Sequence, residues 1–109
     1  MQRWRWRKGR KRGPGRPVSD LYLHSKPDIK RFIPEPCLNE QPIELSYPEY
    51  NVLELIDLEG LTQVEAANRM RSSRGTVWRL YNSARKKLIK ALNEGRPLEI
   101  KSKGDIEKV

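Results

Sequence analysis

The chain has 109 residues, with 23 Lys+Arg against 14 Asp+Glu and a formal net charge of +9. Its mean hydropathy is −0.86, and no run approaches the roughly 20 apolar residues of a spanning helix, so a membrane-embedded helical protein is excluded. One cysteine, Cys37, and one histidine, His24, rule out an internal disulfide framework and a four-ligand zinc site within one chain; no cofactor is expected. The first residues are basic without an apolar core segment, which speaks against a secretory signal and for a reducing, cytoplasmic setting, near the nucleoid in a prokaryote.

The charge is segregated. Residues 1–17 carry eight bases and no acid, residues 35–68 eight acids and no base, and residues 69–96 nine bases and only Glu94. A solvated surface mixes its signs. Two basic blocks flanking an acidic one point to a polyanion as partner, and nucleic acid is the commonest polyanion.

Residues 1–20 are basic, rich in Gly and Pro and without helical period, which predicts a disordered arm. Its Gly15-Arg16-Pro17 can slide Arg16 into a narrow minor groove in the manner of an AT-hook. The core here is Pro-Gly-Arg-Pro rather than Arg-Gly-Arg-Pro, one groove-inserting arginine short, so a phosphate-binding arm is the stronger expectation. The Arg3-Trp4-Arg5-Trp6-Arg7 alternation also has the composition to stack on single-stranded bases or rest on an anionic membrane surface. Residues 21–45 hold Pro27, Pro34, Pro36 and Pro42, which forbid a long helix; Arg31-Phe32-Ile33 suits a short edge strand.

A helix is predicted to open after Ser46, where Ser46-Tyr47-Pro48-Glu49 fits a capping box, and to end at Gly60. A second, of about eight residues, opens after Thr62 with the box Thr62-Gln63-Val64-Glu65. Arg71-Ser72-Ser73 forms a turn. A third helix then runs from Ser73 to about Asn93, with Gly95 beyond it and an inward stripe of Val77, Leu80, Tyr81, Ala84, Leu88 and Leu92. Residues 98–101 alternate as a strand does, and residues 30–33 are expected to pair with them. Residues 102–109 read as a polar tail. The expectation is a mainly α fold: a three-helix helix-turn-helix domain over residues 46–101, a disordered basic arm, and a small two-strand ladder.

The outer face of the third helix carries the candidate site. Ser73, Arg74, Gly75, Trp78, Arg79 and Asn82 project away from Val77, Leu80 and Ala84. Arg74 and Arg79 can fork onto guanine edges, and Asn82 can read adenine. Arg79 is expected on bases; Arg74, at the first turn, on a base or a phosphate. Gly75 costs helix stability but lets backbone approach a groove. Trp78 packs against the turn or touches a sugar or thymine methyl. Lys86 and Lys87 suit phosphates, and Thr62 and Gln63 place helix amides where a phosphate can sit. The pair Ser83 and Lys87 has the spacing of a base-activated nucleophile, a coincidence common on exposed helices. No catalytic constellation is expected.

The runs Asp57 to Ala67, Ser73-Arg74-Gly75-Thr76 and Ser83-Ala84-Arg85-Lys86-Lys87-Leu88 resemble uncharacterised protein family 0251. Gly15-Arg16-Pro17, Phe32-Ile33-Pro34-Glu35 and Gly95 through Ile100 extend the resemblance over roughly residues 15–100. It implies a helix-turn-helix similar to region 4 of bacterial sigma factors and a DNA-binding class, with no known target. Family members usually have Gly-Val in the turn where this chain has Arg71-Ser72, so Arg71 must take a left-handed or otherwise adjusted turn. Some members carry cysteines before the Pro-Glu, and here only Cys37 follows it. The expected function is binding of double-stranded DNA as a transcriptional regulator. The alternatives are docking on RNA polymerase through the acidic residues 35–65, and non-specific binding of RNA or other polyanions. A homodimer is compatible with each.

Overall fold

The computed structural model describes residues 3–8 and 20–109. In chain order these form β1 (Trp4–Arg7), β2 (Asp20–Leu23), β3 (Arg31–Phe32), β4 (Ile43–Ser46), α1 (Tyr47–Leu53), α2 (Gln63–Met70), α3 (Arg74–Glu94), β5 (Leu98–Lys101) and β6 (Asp105–Lys108). The helix starts follow local chemistry. At Ser46 and at Thr62 the hydroxyl accepts the N–H of Glu49 or Glu65, and that glutamate accepts the cap's own N–H. Past Leu53 the first helix widens into a π turn over Glu54–Leu58, which Gly60 closes at φ 80°. Arg71 caps α2 in the left-handed region, at φ 53° and ψ 50°, without a glycine. Gly95 does the same for α3 at φ 63°.

The expectation of a mainly α three-helix domain is overturned: the three helices are joined by two three-stranded sheets, making a small mixed α/β domain. In the first sheet β1 lies between β2 and β6, antiparallel to both. In the second, β5 lies between β3 and β4, antiparallel to β3 and parallel to β4. The expected ladder is there, with Arg31 opposite Glu99 and Phe32 opposite Leu98, as one edge of that larger sheet. The pair formed by α2 and α3 therefore sits inside a crossover connection whose two ends, β4 and β5, lie side by side.

Two further expectations give way. Residues 4–7 are a central strand rather than part of a disordered arm, and 105–108 are a strand rather than a tail. The Arg-Trp alternation is the period of a half-buried strand. Trp6 is buried, with Trp4 packed against the same core, while Arg5 pairs with Glu107 and Arg7 holds Asp20 at 2.8 Å. Arg16, and with it the rest of 9–19, lies outside the described residues.

Each sheet closes one core. Trp6, Leu21 and Leu23 pack with Val52, Leu55, Ala66, Ala67, Met70 and Val77. Ile43, Leu45, Leu98 and Ile100 pack with Ala84 and Ala91. The buried stripe of α3 is thus Val77, Ala84 and Ala91, a seven-residue spacing with Leu80 and Tyr81 half-buried beside it. Leu88 and Leu92, expected in the stripe, are exposed: small alanines let the sheet approach the helix, and the larger leucines fall to the side.

Candidate nucleic-acid interface

The turn between α2 and α3 is held from three directions. The Ser72 N–H donates to the Ala67 carbonyl at 2.9 Å. The Ser73 hydroxyl caps α3 by accepting the Thr76 N–H at 3.1 Å and donates to Thr76 Oγ1 at 3.0 Å. The Arg71 guanidinium stacks 4.5 Å from the Tyr22 ring of β2. Stacking on an aromatic face suits a planar, weakly hydrated cation and helps offset the left-handed backbone that Arg71 adopts.

From this seat the start of α3 faces outward. Ser73, Arg74, Gly75 and Arg79 are exposed, and Asn82 is half-buried. Trp78 is 54% exposed and belongs to neither buried core. The Arg79 guanidinium donates to Thr76 Oγ1 at 3.3 Å and has no carboxylate partner among the described residues; neither has Arg74. A Cβ built on Gly75 would meet only Arg79 Nη1 at 3.8 Å and Ser73 Oγ at 3.9 Å, ordinary contact distances. Neither backbone conformation nor packing requires a glycine there. Thr62 is exposed and Gln63 half-buried at the start of α2. Lys86 is exposed and unpaired among the described residues.

Lys87 lies elsewhere. Its ammonium pairs with Glu49 at 2.9 Å, on the inner side of α3. Glu49 is 4% exposed and also accepts the Ser46 N–H at 2.8 Å and the Ser83 hydroxyl. Burial pushes this carboxyl up, but the hydrogen bonds from Ser83, from the Ser46 backbone and from Lys87 outweigh it, and the net shift is downward. The Ser83–Lys87 spacing is thereby explained: both side chains fasten α3 to the start of α1.

Most of the acidic block is used in the same way. Glu44 holds Lys101 and Lys103, Glu54 accepts from Ser25, Asp57 accepts from Tyr81, Glu59 pairs with His24, and Glu65 completes the second capping box. Only Glu35 and Glu40 of the eight make no such contact among the described residues. Sequence reasoning missed Asn51. It is fully buried, accepts the His24 N–H at 3.1 Å and donates to the Ser25 carbonyl at 3.4 Å, tying the exit of β2 to α1. An asparagine amid Tyr50, Val52 and Leu53 is the one sequence sign of it. Among the described residues no cluster of three His, Cys, Asp or Glu can hold a metal ion, and no helix is long and apolar enough to cross a membrane.

The profile of the family described as "Protein of unknown function DUF134" matches residues 4–109. The chain belongs to this family. It is 41% identical over 106 residues to a "UPF0251 protein" of Archaeoglobus fulgidus, covering 97% of this chain and 99% of that one. A UPF0251 protein of Pyrococcus furiosus is 44% identical over 102 residues, with 93% and 91% covered. One of Desulfitobacterium hafniense is 41% identical over 87 residues, with 78% and 70% covered. The match begins at Trp4 and so includes β1 and β6 of this UPF0251 chain as well as its helices. No solved structure matches.

Proposed function

We propose that this family member binds double-stranded DNA by laying the start of α3 in the major groove, as a transcriptional regulator. The observation that carries the reading is Gly75. A glycine in the first turn of a 21-residue helix is less favourable than alanine, by at most the mid-helix cost of about 0.5–1 kcal/mol. Here neither φ nor packing asks for it. A surface that must approach something outside the chain does. Around it stand Arg74 and Arg79, without carboxylate partners among the described residues, the half-exposed Trp78, and Asn82, whose amide can read adenine. At the start of α2 the Thr62 N–H is already held by Glu65, which leaves the Gln63 amide and the dipole end for a flanking phosphate. Arg79, within one turn of both Gly75 and Asn82, reads bases; Arg74 at the edge reads a base or holds a phosphate.

Docking on RNA polymerase through residues 35–65 gains no comparable support, since six of the eight carboxylates there are already engaged within the fold. The test is selection of bound sites from random duplex DNA, followed by binding of single-base variants. Arg79→Ala should lose about 1–3 kcal/mol of discrimination at one or two base pairs. Recovery of no preferred sequence, with equal affinity for duplex, RNA and heparin, would replace this reading with non-specific polyanion binding.

A further inference from the structure

Arg71 ends α2 in a conformation that suits glycine. A left-handed cap at φ 53° and ψ 50° asks for no side chain, and a glycine enters it freely. The arginine instead brings a guanidinium to the Tyr22 ring, 4.5 Å from its centroid. A second guanidinium reaches the same ring, that of Arg3 at 6.0 Å. Strand geometry places it there. Trp4 and Trp6 turn into the core, so Arg3, Arg5 and Arg7 share the outer face, where Tyr22 stands opposite Arg5 and diagonal to Arg3. The Val109 N–H donates to the Arg3 carbonyl at 3.0 Å and fixes its backbone. On this face the sheet neutralises its arginines selectively. Arg5 pairs with Glu107, and Arg7 with Asp20. Neither Arg3 nor Arg71 has a carboxylate partner among the described residues. Two like charges are thus gathered on one neutral ring, with a mutual repulsion that a shared anion relieves.

We propose that Arg3 and Arg71, seated on Tyr22, clamp one backbone phosphate of the duplex that α3 reads, so that the first sheet forms a second part of the DNA interface. Arg71 stands three residues before Arg74, at most about 11 Å along the chain. The major groove is about 12 Å wide. With Arg74 to Arg79 in the groove, Arg71 comes to its lip, where the phosphates run. A guanidinium stacked by its face on an aromatic ring keeps its edge free to donate, and that planar fork matches phosphate oxygens. Such a contact sets the register of the protein on the duplex and carries no sequence information of its own.

The clamp rests on the DNA-binding reading, and salt dependence separates the two. Affinity of the full chain for the selected duplex should be followed from about 50 to 200 mM salt. Arg71→Gly suits the left-handed cap and should melt close to the wild-type temperature. At low salt it should bind about tenfold more weakly, and the slope of log affinity against log salt should shrink by about 0.9, the value of one phosphate. Arg3→Gln, which keeps the backbone pairing, should do the same. Because both side chains hold one phosphate, the double substitution should lose no more slope than either alone. The ranking of single-base variants should be unchanged in all three, whereas Arg79→Ala alters it. Replacing phosphates one at a time by neutral methylphosphonate should find one position where the wild type loses affinity and Arg71→Gly does not. Wild-type slopes in both single variants, or losses that add in the double, overturn the clamp and leave the reading by α3 standing. A wild type with no preferred sequence, whose slope on random duplex still shrinks in Arg71→Gly, removes that reading and keeps the clamp.

Discussion

Replacing Gly75 by alanine should raise stability and lower DNA affinity at once. The added Cβ sits 3.8 Å from Arg79 Nη1 and 3.9 Å from Ser73 Oγ, so it displaces nothing and disturbs neither the Ser73 cap nor the Val77 packing. Alanine restricts the unfolded chain and favours the helix, a gain of about 0.4–1 kcal/mol at a compatible site. For a domain of this size that is a rise of about 2 to 6 °C in Tm. The same methyl stands on the outermost line of α3, between Arg79 and the Ser73 cap. If that line lies against a groove, the helix is held off by about the width of a methyl group, and the base contacts of Arg79 lengthen past hydrogen-bonding range. A loss of about tenfold in affinity, or ~1.4 kcal/mol, is expected. Thermal unfolding followed by circular dichroism gives the first quantity, and fluorescence anisotropy on a selected duplex the second. A stabilised Gly75→Ala protein that binds with wild-type affinity would show that backbone does not approach DNA there, and the argument from Gly75 would fail.

Three other outcomes test the fold beneath the site. Trp6→Ala should cost about 3–5 kcal/mol in urea unfolding, because it empties the first core and strands the Ser102 carbonyl that accepts from Trp6 Nε1 at 2.8 Å; a cost under about 1 kcal/mol would return residues 4–7 to a peripheral role. Lys87→Ala should lose about 1–3 kcal/mol of stability, discounted for the partial exposure of Lys87, by leaving Glu49 short of its cation. A variant with an unchanged urea midpoint and uniformly weaker DNA binding would instead place Lys87 on phosphates. Acid should unfold the protein by a definite route. Hydrogen bonds from Lys103 and Lys101 hold Glu44 down at about 2, and Glu49, Asp20 and Glu99 are also lowered, Asp20 by Arg7 and Glu99 by Arg31. A carboxyl lowered in the folded state stabilises it above the ordinary carboxylate range and loses that contribution as pH falls through its folded value. Urea midpoints should therefore decline steadily between about pH 5 and about pH 2, and a flat profile there would refute these pairings.

Where short-range chemistry decides, the sequence was enough. Ser46 with Glu49, Thr62 with Glu65, Ser73 and Gly95 mark helix ends because cap and partner are at most a few residues apart. The pairing of β3 with β5 was legible from two apolar alternations too short to stand alone. The alternating Arg and Trp of β1 misled because the neutralising carboxylates lie far away in sequence: Asp20 is 13 residues from Arg7, and Glu107 is 102 from Arg5. Locally the segment shows only cations, as an unstructured arm would. The Lys87–Glu49 pair was hidden for the same reason, 38 residues apart. On the site itself, the outward positions of Arg74, Gly75 and Arg79 followed from helical period alone, whereas the exposure of Leu88 and Leu92 depended on how closely two alanines let a sheet approach.

Sheet order also has a consequence for synthesis. β1 needs β6 as well as β2 for its hydrogen bonds, and Trp4 pairs with Lys108 at the far end of the chain. During translation β1 leaves the ribosome before β6, with one backbone edge unpaired and Trp4 and Trp6 on one face, an arrangement that invites pairing between chains. That edge stays open until β6 emerges. The capped helices between can form meanwhile from contacts near in sequence, so closing the first sheet is the late, slow event. Conditions that stall synthesis before β6 should therefore yield helical but aggregation-prone chains, and release of the final strand should act as the latch.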